Sequence, residues 1–297
     1  MRNYLQGFFK DFGYEDSDAN FLLSVYDKVY LNDQTASLLD GALNLYNQSK
    51  DADFSKIREN ASAVAKILGL YEYTLEFLVY ACMTKRAKEY YKENGISQDI
   101  FHNTMLDLKY KLDECKLVKG IVGTFVAYWF DRFFKLERFS FGRLQFEIKD
   151  FGREYTKNGK TLSADSKVIN LHVPRSGMPI TPDLCLEAFK MAKDFYKEEL
   201  GDNPAFFCHS WLLFPETLSL ASEKSNTYKF AKNFDVFEVG YNRNQEDLWR
   251  LFDTDEKNPD KLPADTSLRR AFVSHLKNGG RTGWGYGVFF YNDLFNN

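Results

Sequence analysis

The chain has 297 residues, of which 44% are hydrophobic and 17% aromatic, so it is long enough for two domains with sizeable cores. Its 39 Lys and Arg residues are balanced by 42 Asp and Glu residues, and the net charge of −3 provides no basic excess for binding a nucleic-acid backbone. The four cysteines form no CxxC pair, which argues against a disulfide framework and against a zinc finger.

The first half of the chain is predicted to be helical. Apolar residues from Ile57 to Leu68 fall on one face at helical spacing, and Ser55 is placed to cap that helix. A second strong helix over 71–94 ends before Gly95, which suits the left-handed residue after a helix, and Ser97 begins the next helix. Further amphipathic or apolar segments bring the number to about six; they cover residues 18–31, 34–47 and 121–135.

The sequence period then changes from helical to strand-like. Leu144, Phe146 and Ile148 alternate with Gln145 and Glu147, Gly142 is predicted to mark a bulge, and Asn158 with Gly159 to form a turn. The change places a domain boundary near 132–138. We therefore predict a two-domain α+β protein, with an all-helical domain over 1–132 and a mixed α/β sheet domain over 133–297.

A βαβ unit is predicted within the second half. Strands 168–173 and 205–214 are expected to be parallel neighbours joined by a helix over 182–199, with Thr181 as the N-cap and Pro182 at the first helical position. The inner face of that helix is predicted to carry Cys185, Phe189, Ala192 and either Phe195 or Tyr196.

The remaining residues predict two more strands, at 235–241 and 282–291, and a charged surface loop at 254–265. Helical segments are predicted at 217–233, 244–252 and 266–278. Gly283, Gly285 and Gly287 leave one strand face without side chains, which suits either the approach of a ligand or the packing of bulky neighbours.

Three titratable residues of this half are candidates for acid–base chemistry. His209 is either a general base or a histidine hydrogen-bonded in the core, and its neighbour Cys208 points to the opposite face. Glu147 shares a face with Gln145, where either solvent or a cleft is expected. His172 lies near the end of its strand, at the edge where ligands enter open α/β sheets, and is otherwise local scaffolding. The four histidines have no metal-ligand spacing, so no metal is predicted.

Three segments resemble a known family: GRLQFE at 142–147, LHVPRSGMPITPDLC at 171–185 and FCHSWLL at 207–213. They are similar to the GNAT-like C-terminal domain of a family of bacterial acyltransferases, in which a helical N-acyltransferase N-terminal domain comes first. The resemblance implies transfer of an acyl group from acyl-CoA, as co-substrate, to a small-molecule amine. Glu147, His172 and His209 are then the expected catalytic residues, with Glu238 as another candidate base.

The resemblance also implies where coenzyme A is held. The pantetheine enters between strands 168–173 and 205–214, and the pyrophosphate lies at the following helix N-terminus, near Arg175, Ser176, Gly177 and Thr181. The family's loop places small residues where this chain has Met178 and Ile180, and Pro179 and Pro182 lack an N–H group. A non-catalytic GNAT-like module that binds a small ligand or a protein therefore remains the alternative hypothesis.

The expected location is the cytoplasm. Acidic side chains follow the N-terminus too closely for a signal peptide, and no stretch approaches the roughly 20 apolar residues of a membrane-spanning helix. We therefore expect neither nucleic acid nor a membrane as a partner, and the sequence leaves the oligomeric state open.

Overall fold

The computed structural model describes residues 1–157 and 159–295. The chain divides into two compact units, one spanning Met1–Phe139 and the other starting at Ser140. Helices make up the first unit and a mixed sheet with helices makes up the second, as predicted for the fold class.

Six helices of ten or more residues form most of the first unit, followed by a 3₁₀ turn at Ala127–Trp129 and a short α7 at Asp131–Phe134. The six are α1 Arg2–Asp11, α2 Asp16–Val29, α3 Asp33–Gln48, α4 Phe54–Leu68, α5 Glu72–Glu93 and α6 Gln98–Lys119. Side chains all round α5 are buried, among them Leu75, Val79 and Tyr91, which is the pattern of a central helix.

Two details of the helical prediction are wrong. Asp53 rather than Ser55 caps α4, because its carboxylate accepts the N–H groups of Ser55 and Lys56. No single helix spans 121–135, because Thr124 N–H donates to Tyr73 O at 3.0 Å and a Cβ on Gly123 would lie 2.5 Å from Tyr73 carbonyl atoms. The segment at Gly123 and Thr124 is therefore held against the start of α5. Gly95 adopts the predicted positive φ and Ser97 caps α6 as predicted.

The second unit contains a six-stranded sheet with the order β1-β2-β5-β6-β8-β7 and a separate β3-β4 hairpin. The strands are β1 Arg138–Phe141, β2 Leu144–Asp150, β3 Tyr155–Lys157, β4 Lys160–Leu162, β5 Lys167–His172, β6 Ala205–Ser210, β7 Asp235–Tyr241 and β8 Gly283–Phe290. β5 pairs with β6 in parallel, which confirms the predicted βαβ unit, whereas β2–β5, β6–β8 and β7–β8 are antiparallel.

Helix α8 covers one face of the sheet. The helices of this unit are α8 Pro182–Phe195, α9 Lys197–Leu200, α10 Pro215–Leu220, α11 Asn226–Ala231, α12 Leu248–Phe252 and α13 Ser267–Lys277. Phe189 of α8 packs its ring 5.4 Å from that of Phe206 and 5.1 Å from that of Phe289. Cys185 and Ala192 are buried as predicted, and Tyr196 rather than Phe195 completes the inner face, since Phe195 is 39% exposed.

The predicted strand 205–214 is too long, because β6 ends at Ser210. The Ser210 hydroxyl accepts the Leu212 N–H, and residues Trp211–Leu213 form a 3₁₀ turn. This turn lies over the glycines of β8: a Cβ on Gly285 would be 2.6 Å from Leu213 O, and one on Gly283 would be 2.5 Å from the Phe214 ring. The glycine alternation therefore serves packing, which was one of the two interpretations of the sequence.

Other boundaries also differ from the sequence predictions. Gly142, with φ +53°, forms a turn between β1 and β2 rather than a bulge. The predicted helix 182–199 is interrupted after Phe195, 217–233 is divided into α10 and α11, and only Leu248–Phe252 of 244–252 is α-helical. The predicted turn at Asn158 lies outside the described residues, and its neighbour Gly159 has φ +74°.

Candidate functional site

The parallel strands β5 and β6 are joined over only a short stretch. Their ladder consists of two pairs, Ile169 with Phe206 and Asn170 with Phe207. β5 runs on to His172 while bonded to β2, and β6 runs on to Ser210 while bonded to β8. The facing edges of the two strands thus part at their C-terminal ends, where ligands bind in open α/β sheets.

A cluster of polar side chains lies on one face beside this opening. Glu147 of β2 is directly opposite Asn170 of β5, and Gln145 is directly opposite His172. Asn170 Nδ2 donates to Glu147 Oε1 at 2.7 Å, and His172 Nε2 is 3.0 Å from the same oxygen. Two strands that alternate polar and apolar residues thus bring four polar side chains together.

The shared oxygen fixes the tautomer of the histidine. His172 Nε2 lies 3.0 Å from Glu147 Oε1 and 3.1 Å from Asn170 Nδ2, which is itself a donor. A carboxylate only accepts, so the consistent assignment has Nε2–H donating to Glu147. The lone pair of the neutral ring is then on Nδ1. A histidine held by a carboxylate at one nitrogen can take a proton at the other.

The two members of this pair differ in exposure. The Glu147 side chain is 4% exposed and that of His172 is 21% exposed. The expectation that Glu147 faces solvent is wrong, because its side chain is almost fully buried; the alternative, that it faces a cleft, stays a prediction. His172 is therefore the member of the pair that an incoming molecule can reach.

His209 does not join this cluster. It is exposed on β6, on the same face as Phe207, and its ring lies 4.5 Å from that of Tyr286 and 4.9 Å from that of Trp284. The interpretation as a hydrogen-bonded core histidine is wrong, since no hydrogen bond to its side chain occurs within residues 1–157 and 159–295. Desolvation by the neighbouring rings lowers the pKa of His209, which keeps the ring neutral near pH 7. Cys208 is buried on the other face, as predicted.

Glu238 is remote from the pair. It lies on the edge strand β7 opposite Tyr286, is exposed, and pairs with Arg153 at 3.2 Å. Two strands, β8 and β6, separate it from β5.

The loop from 173 to 181, which follows β5, is held by a buried arginine. Arg143, 7% exposed in the turn between β1 and β2, donates from Nε to Met178 O at 2.9 Å and from Nη1 to Pro174 O at 2.8 Å. Gly177 has φ +75°, a conformation that strains other residues. The loop therefore has a fixed shape although it lacks the glycines of the family pattern.

The start of α8 provides fewer donors than most helices. Thr181 is the N-cap as predicted, and its hydroxyl accepts the Leu184 N–H at 3.4 Å. Pro182 has no N–H, so the first turn leaves the N–H groups of Thr181 and Asp183 for a ligand. Ser176 Oγ accepts the N–H of Met178 at 3.3 Å.

Arg175 is engaged by a carboxylate. Its Nη2 lies 2.6 Å from Asp253 Oδ1, and the other oxygen of Asp253 lies 2.6 Å from Arg269 Nη2. Arg269 also pairs with Asp265 at 3.0 Å. An anionic ligand at this loop has to compete with Asp253 for the guanidinium of Arg175.

Sequence reasoning missed Arg143, Asn170 and Gln145 as members of the site. A signal for the last two existed, since the alternation in β2 and β5 gives both strands a polar face and antiparallel pairing joins those faces. No local signal identifies Arg143, whose partners lie 31 and 35 residues away.

The strand order, the parallel β5–β6 pair that opens at one end and the helix that begins beyond it define the second unit as a GNAT-like domain. The chain belongs to the family described as GNAT-like C-terminal domain, which it matches over residues 138–289. Residues 3–136 match the N-acyltransferase N-terminal domain. The resemblance inferred from the three sequence segments is thereby confirmed.

Solved structures of acyltransferases share this fold. A mutant acyltransferase in complex with octanoyl-CoA superposes with a TM-score of 0.71 at 19% identity, covering 94% of this chain and 85% of that one. An acyltransferase in complex with decanoyl-CoA and teicoplanin gives a TM-score of 0.63 at 19% identity, covering 97% and 99%. No curated protein matches the sequence.

Two features are absent from residues 1–157 and 159–295. No group of three or more His, Cys, Asp or Glu side chains in that part of the chain is placed to hold a metal ion. Likewise, none of its helices combines the length and the hydropathy needed to cross a membrane.

Proposed function

We propose that the chain is an acyl-CoA-dependent N-acyltransferase, with His172 as the general base and Glu147 as its positioning residue. The observation that carries the proposal is the Glu147–His172 pair at 3.0 Å, at the C-terminal end of β5 where the parallel strands part. The complexes of the structural neighbours with octanoyl-CoA and decanoyl-CoA support acyl-CoA as the donor.

The proton transfers follow from the tautomer. As the amine nitrogen attacks the thioester carbonyl carbon, His172 Nδ1 takes a proton from the amine, while Glu147 stabilises the imidazolium through Nε2–H. The C–S bond breaks, and the imidazolium returns the proton to the departing thiolate. The products are an amide and free coenzyme A, and no oxidant or metal is required.

The proposed donor site is the opening between β5 and β6 together with the loop 173–181. Its polar parts are the first-turn N–H groups of α8, the Ser176 hydroxyl and the guanidinium of Arg175 once it leaves Asp253. Gly177 allows the backbone to approach closely. Arg143 keeps this loop in place through two carbonyl groups.

His209 has a different role in this proposal. It lies on the same sheet face as Asn170 and His172, across the opening on β6, and its lowered pKa keeps it uncharged at pH 7. An exposed neutral imidazole flanked by Trp284 and Tyr286 suits contact with the acceptor or the acyl chain.

Calorimetric titration with octanoyl-CoA tests the donor half of the proposal. We expect the wild type to bind and Arg143→Met to bind about tenfold or more weakly, because the loop carbonyls lose two charge-assisted hydrogen bonds. Arg270→Met is the matched control, since Arg270 lies in the same unit and donates to two other backbone carbonyl groups, those of Ala264 and Asp265. Absence of binding to well-folded wild-type protein at millimolar concentration would contradict the proposal.

A non-catalytic binding module is the second candidate, and the occupied guanidinium of Arg175 favours it. Such a module predicts that acyl-CoA either does not bind or binds without being consumed. Release of free thiol from octanoyl-CoA in the presence of an amine separates the two candidates.

A further inference from the structure

We propose that a cavity between α10, α11 and the edge strand β7 binds a medium-chain carboxylate. The alkyl chain lies along the apolar lining of the cavity, and the carboxylate lies at its mouth beside Lys232. This ligand site is additional to the proposed donor site and does not rest on the proposed function, because the cavity is separate from the opening between β5 and β6.

The size and lining of the cavity suit a small apolar ligand. Its volume is about 510 Å³, within the range of roughly 300–1,000 Å³ that ligand pockets occupy. Such pockets have a mostly apolar lining with a few polar groups that orient the ligand. An alkyl chain placed in this cavity is removed from water, which is favourable in proportion to the apolar area buried. Six of the ten lining residues are apolar: Pro215, Leu218, Ala221, Ala231, Phe234 and Val236.

The inner wall of the cavity is part of the hydrophobic core. Phe234 is 8% exposed, and its ring lies 5.2 Å from that of Phe230 and 5.0 Å from that of Phe289. The helices α10 and α11 have six residues each, and the alanines at their C-terminal ends, Ala221 and Ala231, fill little of the space beside this wall. The cavity is therefore preformed, and a ligand can enter it without rearrangement of the core.

Lys232 supplies a cation at the mouth of the cavity. It lines the cavity, is exposed, and its Nζ lies 5.2 Å from the centre of the Tyr228 ring. In the part of the chain that the structure describes, Lys232 makes this cation–π contact and pairs with no carboxylate. The Tyr228 N–H bonds Ser225 Oγ, whereas the Tyr228 hydroxyl bonds no other side chain or carbonyl group of the described residues. An ammonium group and a hydroxyl are thus available to an anionic head group.

The charges around the mouth favour an anion of single charge. Residues 222–232 contain three lysines and a single acidic residue, Glu223, so the net charge of this segment is +2. Lys224 and Lys229, like Lys232, are without an ion pair among the residues that the structure describes. Glu223 also lines the cavity and repels a head group of higher charge. A carboxylate therefore fits this mouth better than a phosphate dianion does.

The cavity is distinct from the proposed donor site. All of its lining residues lie between Pro215 and Val236, whereas the proposed donor site is formed by β5, β6 and the loop 173–181. β7 is an edge strand of the sheet, and β8 and β6 separate it from β5. Occupation of one site therefore leaves the other open.

Titration calorimetry with sodium octanoate tests the inference. We expect octanoate to bind about tenfold or more tightly than butyrate, because each additional methylene group that is buried strengthens binding by about fourfold. Octylamine has the same chain with a cationic head group and should bind about tenfold or more weakly than octanoate. Absence of octanoate binding at millimolar concentration, or equal affinities for octanoate and octylamine, would overturn the inference.

Two substitutions locate octanoate in the cavity. Lys232→Gln should weaken its binding about three- to tenfold, and less so at high salt, because the lost attraction is near the surface. Lys190→Gln is the matched control, since Lys190 is exposed on α8 in the same unit and does not line the cavity. Ala221→Trp fills the cavity from its half-buried rim and should abolish binding. If Ala221→Trp does not fold, the two lysine variants decide, and equal octanoate affinities for both of them overturn the inference.

A competition measurement separates this site from the donor site. Octanoate should bind the wild type equally well with and without saturating octanoyl-CoA, and Lys232→Gln should release thiol from octanoyl-CoA at the wild-type rate. Loss of octanoate binding in the presence of octanoyl-CoA would place octanoate in the donor site and overturn the inference. If the wild type binds no acyl-CoA, the proposed function fails, whereas the octanoate titrations of the variants still decide this inference.

Discussion

Replacing Glu147 by Gln removes the charge of the proposed pair while keeping its shape. The amide oxygen of Gln can still accept from Asn170 and His172, whose donors lie 2.7 and 3.0 Å from the carboxylate oxygen. What is lost is the attraction between the carboxylate and the imidazolium that forms when His172 takes the proton. The substitution therefore affects the transition state more than the folded ground state.

The magnitude follows from the distance. Coulomb's law with an effective dielectric constant of about 20 gives an attraction of roughly 5 kcal/mol for charges about 3 Å apart. General-base catalysis as a whole contributes roughly 10² to 10⁴ in rate, equivalent to about 3–5 kcal/mol. We therefore expect kcat for thiol release from octanoyl-CoA to fall by about 10² to 10⁴ in Glu147→Gln, with little change in KM for the donor.

The assay compares four variants with the wild type. Glu147→Gln and His172→Gln should lose similar amounts of activity, and the double variant should lose little more than either, because the two residues act as one unit. Glu238→Gln is the matched control: Glu238 is exposed and distant on β7, so it should keep wild-type turnover. Full activity of well-folded Glu147→Gln would refute the proposed pair.

Three other outcomes are expected. Asp253→Asn should bind coenzyme A about three- to tenfold more tightly than wild type by calorimetry, because Arg175 is released. Asp265→Asn, whose carboxylate pairs with Arg269 and accepts the Thr266 N–H, should not. Equal affinities for all three proteins would contradict this explanation of the loop. Gly285→Ala should destabilise the protein by about 1–3 kcal/mol in thermal unfolding, since its Cβ would lie 2.6 Å from Leu213 O. Gly7→Ala, whose Cβ would have nothing within 4 Å, should not. An unchanged melting temperature for Gly285→Ala would show that the turn over β8 can shift at little cost in free energy. Partial burial, reinforced by Glu72, raises the pKa of Glu76 from 4.5 to about 7, so the unfolded chain releases this proton first and the protein loses stability as the pH rises between these values. Glu76→Gln should therefore raise the melting temperature at pH 8 but not at pH 4, unlike the exposed control Glu59→Gln. An equal effect of Glu76→Gln at both pH values would argue against the pKa shift.

The order of the helices and strands could be predicted because the local spacing of hydrophobic residues indicates it. The change near residue 138 from helical spacing to strict alternation identified the two kinds of unit, and Thr181 with Pro182 marked the start of α8. The ends of the helices and strands were harder to predict. The sequence of the 3₁₀ turn at Trp211–Leu213 is as apolar as the strand before it, and only its packing over the β8 glycines ends β6 at Ser210.

The site could be predicted only in part, for a similar reason. Glu147 and His172 were found because alternation and resemblance both indicated them, but their contact depends on the register of β2 against β5, which no local pattern sets. The sequence suggested a core position for His209 because Phe207 and Cys208 precede it. Both of those residues are buried, but His209 itself is exposed. The engagement of Arg175 by Asp253 joins residues 78 positions apart and has no sequence signal.

We propose that this chain transfers an acyl group from acyl-CoA to an amine at the opening between β5 and β6. The most direct test incubates wild type and His172→Gln with octanoyl-CoA and a panel of primary amines, and measures both thiol release and the mass of the amide product. We expect amide formation by the wild type, and a loss of about 10² or more in rate in His172→Gln with octanoyl-CoA affinity preserved. Binding of octanoyl-CoA without any amide product, or equal turnover by both proteins, would contradict it.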